Sequence, residues 1–107
     1  MKLFRNQDKE QIYETTGVTG SRMAVTDHHE LVELLLQPGA RISPHQLEIP
    51  ITFVIIEGHG HCDINGENVE LHPGDILEIP PEAERSWLNM ADSSLKIIGI
   101  KPAAPQK

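Results

Sequence analysis

Turn signals recur along this chain at intervals too short for any long helix. Pro38-Gly39, Asn65-Gly66, Pro73-Gly74-Asp75 and Pro80-Pro81 punctuate a series of short apolar runs. These are Arg22–Thr26, Leu31–Leu36, Ile51–Glu57, His61–Ile64, Asn68–Leu71, Ile76–Ile79, Ser86–Met90 and Leu95–Ile100. Such runs, bounded by Gly, Pro, Asn and Asp, predict an all-β sandwich or barrel. Each signal has a mechanism. In Pro38-Gly39, Pro fixes φ while Gly tolerates a positive one. Asn65-Gly66 predicts a type I′ hairpin, whose two central residues both need positive φ. Pro80-Pro81 cannot donate ladder hydrogen bonds, so it ends a strand or lies at an edge. Glu30–Leu36 has some helical period but is short and runs straight into Pro38-Gly39.

The 107 residues suit one domain rather than two. Residues 1–20 are polar and mixed in period, and read as an N-terminal arm with one short strand, available for pairing with a second subunit. Residues 21–101 form the expected barrel and 102–107 a loose tail. A hydrophobic content of 38% with 23% charged residues is that of a folded chain. The net charge of −7, with nine scattered Lys and Arg, argues against a nucleic-acid partner and reads as a solubility feature. Cys62 is the lone cysteine, which excludes an intrachain disulfide and a cysteine zinc cluster. The first residues, Met1-Lys2-Leu3-Phe4-Arg5-Asn6, lack the apolar segment of a signal peptide. No apolar run approaches the ~20 residues of a membrane helix. The expected location is the cytoplasm, with no membrane partner.

Two stretches resemble the motifs of a known family. Residues 38–60, from Pro38-Gly39 through His45 to Gly58-His59-Gly60, are similar to the first cupin motif. Residues 66–89 are similar to the second, with Gly66, His72-Pro73-Gly74-Asp75, Ile79-Pro80-Pro81 and Asn89 at matching spacing. The resemblance covers roughly residues 30–100 and implies a jelly roll, the cupin-type double-stranded β-helix barrel of two antiparallel sheets. It also implies a homodimer. In metal-binding cupins two His and a Glu of the first motif meet a His of the second inside the barrel. Here His45 stands at the first position, Leu47 at the second, Ile51 (or Thr52) at the Glu position and Arg85 at the last. Glu82 stands where Gly is common. One ligand of four survives, so no cofactor is favoured, although a divalent transition metal in an altered set is an alternative.

The remaining candidates follow from strand geometry. Arg85 and Trp87 lie at i and i+2 on one strand and share a face with Asn89. If that face lines the barrel, it offers a guanidinium and an indole wall to a small carboxylate or phosphate. His45 is either a ligand-contacting imidazole or one that hydrogen-bonds within the pocket. Glu48 is either a replacement carboxylate or an exposed loop acid. His59 and His61 read as surface residues, because Cys62 and Ile64 take the buried face of their strand. His72 and Asp75 read as turn-forming. The first expectation is therefore a protein that binds a small anionic metabolite through His45, Leu47, Ile51, Arg85, Trp87 and Glu48. The alternative is a metal-dependent or acid/base enzyme (a dioxygenase, isomerase or lyase) using His45. A third possibility is a side-chain-filled barrel, greasy at Leu47 and Ile51, that serves only as a structural or regulatory partner.

Overall fold

The structure is a computed structural model and describes residues 1–103. After a single 3-10 turn at Asn6–Asp8 come ten strands: β1 Glu10–Thr15, β2 Val18–Val25, β3 His29–Leu36, β4 Arg41–His45, β5 Ile51–Glu57, β6 Gly60–Ile64, β7 Glu67–Leu71, β8 Ile76–Ile79, β9 Arg85–Leu88 and β10 Leu95–Pro102. They form a six-stranded sheet ordered β1-β2-β3-β10-β5-β8 and a four-stranded sheet ordered β4-β9-β6-β7. Every pairing is antiparallel. The all-β jelly roll of two facing sheets is therefore present.

Strand alternation builds the core. Ile51, Phe53 and Ile55 of β5 face inward beside Leu95 and Ile97 of β10. Cys62 and Trp87 face them from the other sheet. Each such aliphatic or aromatic side chain contributes about 1.5–3 kcal/mol on full burial. Asn89 is buried too. Its amide donates to the carbonyls of Leu36 and Ser93, and its Oδ1 accepts from the N–H of Ala91, so it ties the end of β9 to two other segments.

The turns behave as their residues require. Asn65 (φ 50°) and Gly66 (φ 90°) both take positive φ and join β6 to β7. Asp75 accepts the N–H of His72 at 2.8 Å and closes the Pro73-Gly74 turn. Glu82 has φ 71° where the family motif commonly has Gly. A left-handed backbone costs a residue with a Cβ about 1–2 kcal/mol. The Glu82 N–H donates to the Leu47 carbonyl at 2.8 Å, which pins the loop after β4 to the loop before β9.

The segment read as an N-terminal arm enters the six-stranded sheet through β1 and the start of β2, and Val18 is in the core. Before it, Lys9 reaches the outer face of β3 and pairs with Glu33 at 3.0 Å. The weakly helical Glu30–Leu36 is strand, held between β2 and β10. At the other terminus Pro102 is the last residue of β10, and the rest of the expected tail, from residue 104, lies outside the described residues.

Candidate functional site

Two local rules aim the site residues inward. On β9, Arg85 and Trp87 are two residues apart and so share a face. On β4 the matter is less simple. Ile42 pairs with Trp87 and His45 with Arg85, so β4 takes three steps where β9 takes two. In a regular strand, residues three apart face opposite ways. The extra residue is a β-bulge, and it returns His45 to the face that Ile42 occupies. Pro44 lies within the irregular stretch, where its missing N–H costs the ladder nothing.

The face so assembled closes a cavity of about 490 Å³, within the range of about 300–1,000 Å³ usual for small-ligand sites. The four-stranded sheet contributes Ile42, His45, Arg85 and Trp87, and the following loop adds Leu47. The six-stranded sheet contributes Ile51 and Phe53 of β5 and Val32 and Leu34 of β3. Gly99 of β10 completes that wall; a Cβ there would stand 3.2 Å from the Phe53 ring and 3.3 Å from Ile51, so the glycine gives both side chains their space. Ile12, Tyr13 and Lys101 also line the cavity. Phe53 and Trp87 meet edge to face, centroids 5.0 Å apart, and form an aromatic corner. A cavity of this size does not fit the side-chain-filled barrel raised by Leu47 and Ile51. A second groove of about 560 Å³ at the β1–β2 turn is open and rimmed by Thr15, Thr16 and Thr19, with no buried polar side chain in its lining.

Arg85 dominates the electrostatics. It is 3% exposed, and neither Nε nor Nη1 has a hydrogen-bond partner among the described residues. Its Cζ lies 6.0 Å from the centroid of the Phe53 ring. Burial pushes the guanidinium pKa down, opposed by the neighbouring Cys62. Most buried charges are paired; this one faces a mostly apolar cavity. His45 is exposed at the mouth, with Nδ1 3.1 Å from the Ser43 carbonyl. A carbonyl only accepts, so Nδ1 carries the proton, and in the neutral ring Nε2 is left as the acceptor. Lys101 is held by Glu30, Nζ to Oε2 3.4 Å, and Glu30 also takes the Arg22 Nε–H at 2.7 Å. Burial pushes the Cys62 thiol up to about 12, so it stays protonated.

The structure thus brings together His45, Leu47, Ile51, Arg85 and Trp87. Glu48 is exposed and outside the cavity lining. The positions that the motif resemblance aligns with the family's metal ligands hold the His45 imidazole, the aliphatic Leu47 and Ile51 (the alternative, Thr52, is outside the cavity lining) and the Arg85 guanidinium. That set does not fit a first-row metal, because two members have no donor atom and the third is cationic. Among the described residues no group of three or more His, Cys, Asp or Glu is placed to hold a metal ion. His61 bonds Asn68 through Nδ1 at 3.0 Å, and His72 stacks on His59 and approaches Glu70; none lines the cavity. Phe53 follows from alternation with Ile51 on β5, and Gly99 from alternation with Leu95 and Ile97 on β10. Ile12 and Tyr13 carry no such signal: both lie at a bulge in the edge strand β1.

The sequence profile of the Cupin domain matches residues 32–101. This chain belongs to the cupin family. Comparison with curated protein sequences finds no match. Among solved structures, this cupin is similar to KdgF from Halomonas sp. (TM-score 0.83, 23% identity, covering 97% of this chain and 96% of that one). It is also similar to an RmlC-like cupin from Shewanella frigidimarina (TM-score 0.82, 17% identity, covering 99% and 95%). The polyketide cyclase RemF from Streptomyces resistomycificus superposes as well (TM-score 0.84, 18% identity, covering 97% and 80%). At these identities the likeness concerns the fold.

Proposed function

We propose that this cupin binds a small anionic metabolite inside its barrel, anchored by Arg85, without the metal centre of its metal-binding relatives. One observation carries the reading: a guanidinium 3% exposed, unpartnered at Nε and Nη1 among the described residues, on the wall of a cavity of about 490 Å³. Leaving a buried donor unpaired costs about 1–3 kcal/mol, and an anionic ligand removes that cost. Similar barrels include a polyketide cyclase, which supports use of the interior for a small molecule. The test is calorimetric titration with phenylacetate, a small carboxylate with a planar apolar body. Saturable binding that Arg85→Met abolishes supports the reading, and binding unchanged in the variant removes it.

The second reading, an enzyme using His45, is favoured by the free Nε2 beside Arg85. Elemental analysis of dialysed, untagged protein separates the metal-dependent version. Stoichiometric metal that disappears in His45→Ala replaces the first reading with a metalloenzyme.

The partner we infer is a second copy on the outer face of the six-stranded sheet. Ile56 and Ile76 are 44% and 68% exposed there, and Val54 pairs with both Ile76 and Ile98. Light scattering of Ile76→Lys against wild type tests this; a monomeric wild type rules it out.

A further inference from the structure

We propose that the preferred ligand is a 2-hydroxy carboxylate with a flat apolar body, whose hydroxyl donates to Nε2 of His45. This rests on the anion-binding reading and specifies the chemistry of the same site.

The charge comes first. Lys101, the other cation lining the cavity, is held by Glu30 at 3.4 Å, which leaves Arg85 as the cation there without an acidic partner among the described residues. One uncompensated positive charge neutralises one negative charge. A phosphate dianion would carry a second into a largely apolar enclosure, where an unmatched charge is strongly disfavoured. A carboxylate matches both the charge and the fork of guanidinium N–H groups.

The hydroxyl follows from the tautomer. His45 and Arg85 are register partners on adjacent strands, which puts their side chains side by side on one face, with Cβ atoms about 5 Å apart. Because Nδ1–H donates to the Ser43 carbonyl, the other nitrogen of the neutral ring, turned from the backbone, is an acceptor. An acceptor beside the carboxylate clamp is matched by a donor on the atom next to the carboxylate. The flat body follows from Trp87 and Phe53, set at 73° to each other behind Arg85, with Ile42, Ile51 and Leu34 around them.

The test compares phenylacetate with the two enantiomers of mandelate, which differ from it by one hydroxyl, on wild type and His45→Leu. One added hydrogen bond is worth about 0.5–1.5 kcal/mol, or about 2- to 13-fold in affinity. One enantiomer of mandelate is expected to bind wild type tighter than phenylacetate by that factor, and the other less so, because His45 lies to one side of Arg85. The advantage should vanish in His45→Leu. Imidazole ¹⁵N spectra of wild type give a second readout: the Nε2 resonance of His45 should move with mandelate and stay with phenylacetate. Equal or weaker binding of both enantiomers to wild type overturns the inference, as does a preference that survives His45→Leu. In those cases phenylacetate still binds and the anion site stands. If none of the three acids binds, the anion-binding reading falls and takes this inference with it.

Discussion

Replacing Arg85 by Met should make the ligand-free protein more stable while removing its ability to bind carboxylates. The side chain is buried, and its Nε and Nη1 donors have no partner among the described residues. Exchanging a buried ion pair or triad for apolar groups of similar volume is often stabilising, by about 1–4 kcal/mol, and an unpaired charge loses no Coulombic partner in the exchange. Against this stands the contact between the guanidinium and Phe53, whose centroid lies 6.0 Å from Cζ; such contacts contribute about 0.5–2 kcal/mol. Met keeps an unbranched stem against Trp87 and Phe53, and its shorter reach opens onto existing cavity rather than creating a sealed void. Taking the middle of each range, the balance is a gain of about 1 kcal/mol for Arg85→Met. For a domain of this size that is a rise of about 4–8 °C in Tm. Scanning calorimetry and urea denaturation of dialysed wild type and variant measure it directly. The same instruments with added phenylacetate should show wild type rising and the variant unmoved. A ligand-free variant less stable than wild type would refute the reasoning, because the guanidinium would then be satisfied in the folded protein.

Three further outcomes are expected. Glu82→Gly relieves a positive φ, offset by the greater freedom of Gly in the unfolded chain, for a net gain of about 0.5–1 kcal/mol in urea denaturation; a loss of stability would contradict the strain argument. The Glu30 carboxyl is held below its ordinary value, first by the hydrogen bond from Arg22 and also by Lys101. Its folded-state pKa is depressed, so its contribution is full above the ordinary carboxylate value and is lost as pH falls through the lower folded one. Glu30→Gln should flatten the acid limb of the stability–pH curve in that window, and an unchanged limb would contradict the pairing. Cys62, fully buried and with its thiol pushed up to about 12, should resist iodoacetamide in the native protein at neutral pH and react on unfolding; rapid native labelling, followed by mass spectrometry, would contradict its placement.

The parts of the fold readable in advance are those with local chemistry. Asn65-Gly66 requires a hairpin of one type, and both residues take positive φ. The apolar run Ile51–Glu57 reads as a strand and is one, with Ile51, Phe53 and Ile55 buried. β4 was illegible for a physical reason. Arg41-Ile42-Ser43-Pro44-His45 holds one aliphatic residue and a proline, and its strand character comes from pairing with β9 rather than from propensity. All six residues of β1 are exposed, so no period marked it either. In the site, Arg85 and Trp87 were readable as a pair from their spacing. The orientation of His45 depends on a bulge, and the contribution of Lys101 depends on the register of β10 against β3. Both are set by how distant strands meet, which spacing along one strand does not encode. Exposed Glu48 shows the converse limit, since proximity in sequence to His45 did not bring it to the cavity.

The bulge in β4 also shapes how such a barrel can diverge. Removing one residue between Ile42 and His45 would restore a regular pairing, two steps on each strand, and the imidazole would keep both its inward face and its place opposite Arg85. The bulge residue is thus an addition that the ladder absorbs. A lineage can gain or lose it through a three-base insertion or deletion without turning the histidine over. Families built on this barrel can therefore be expected to vary in the length of β4 while the residue opposite Arg85 stays inside.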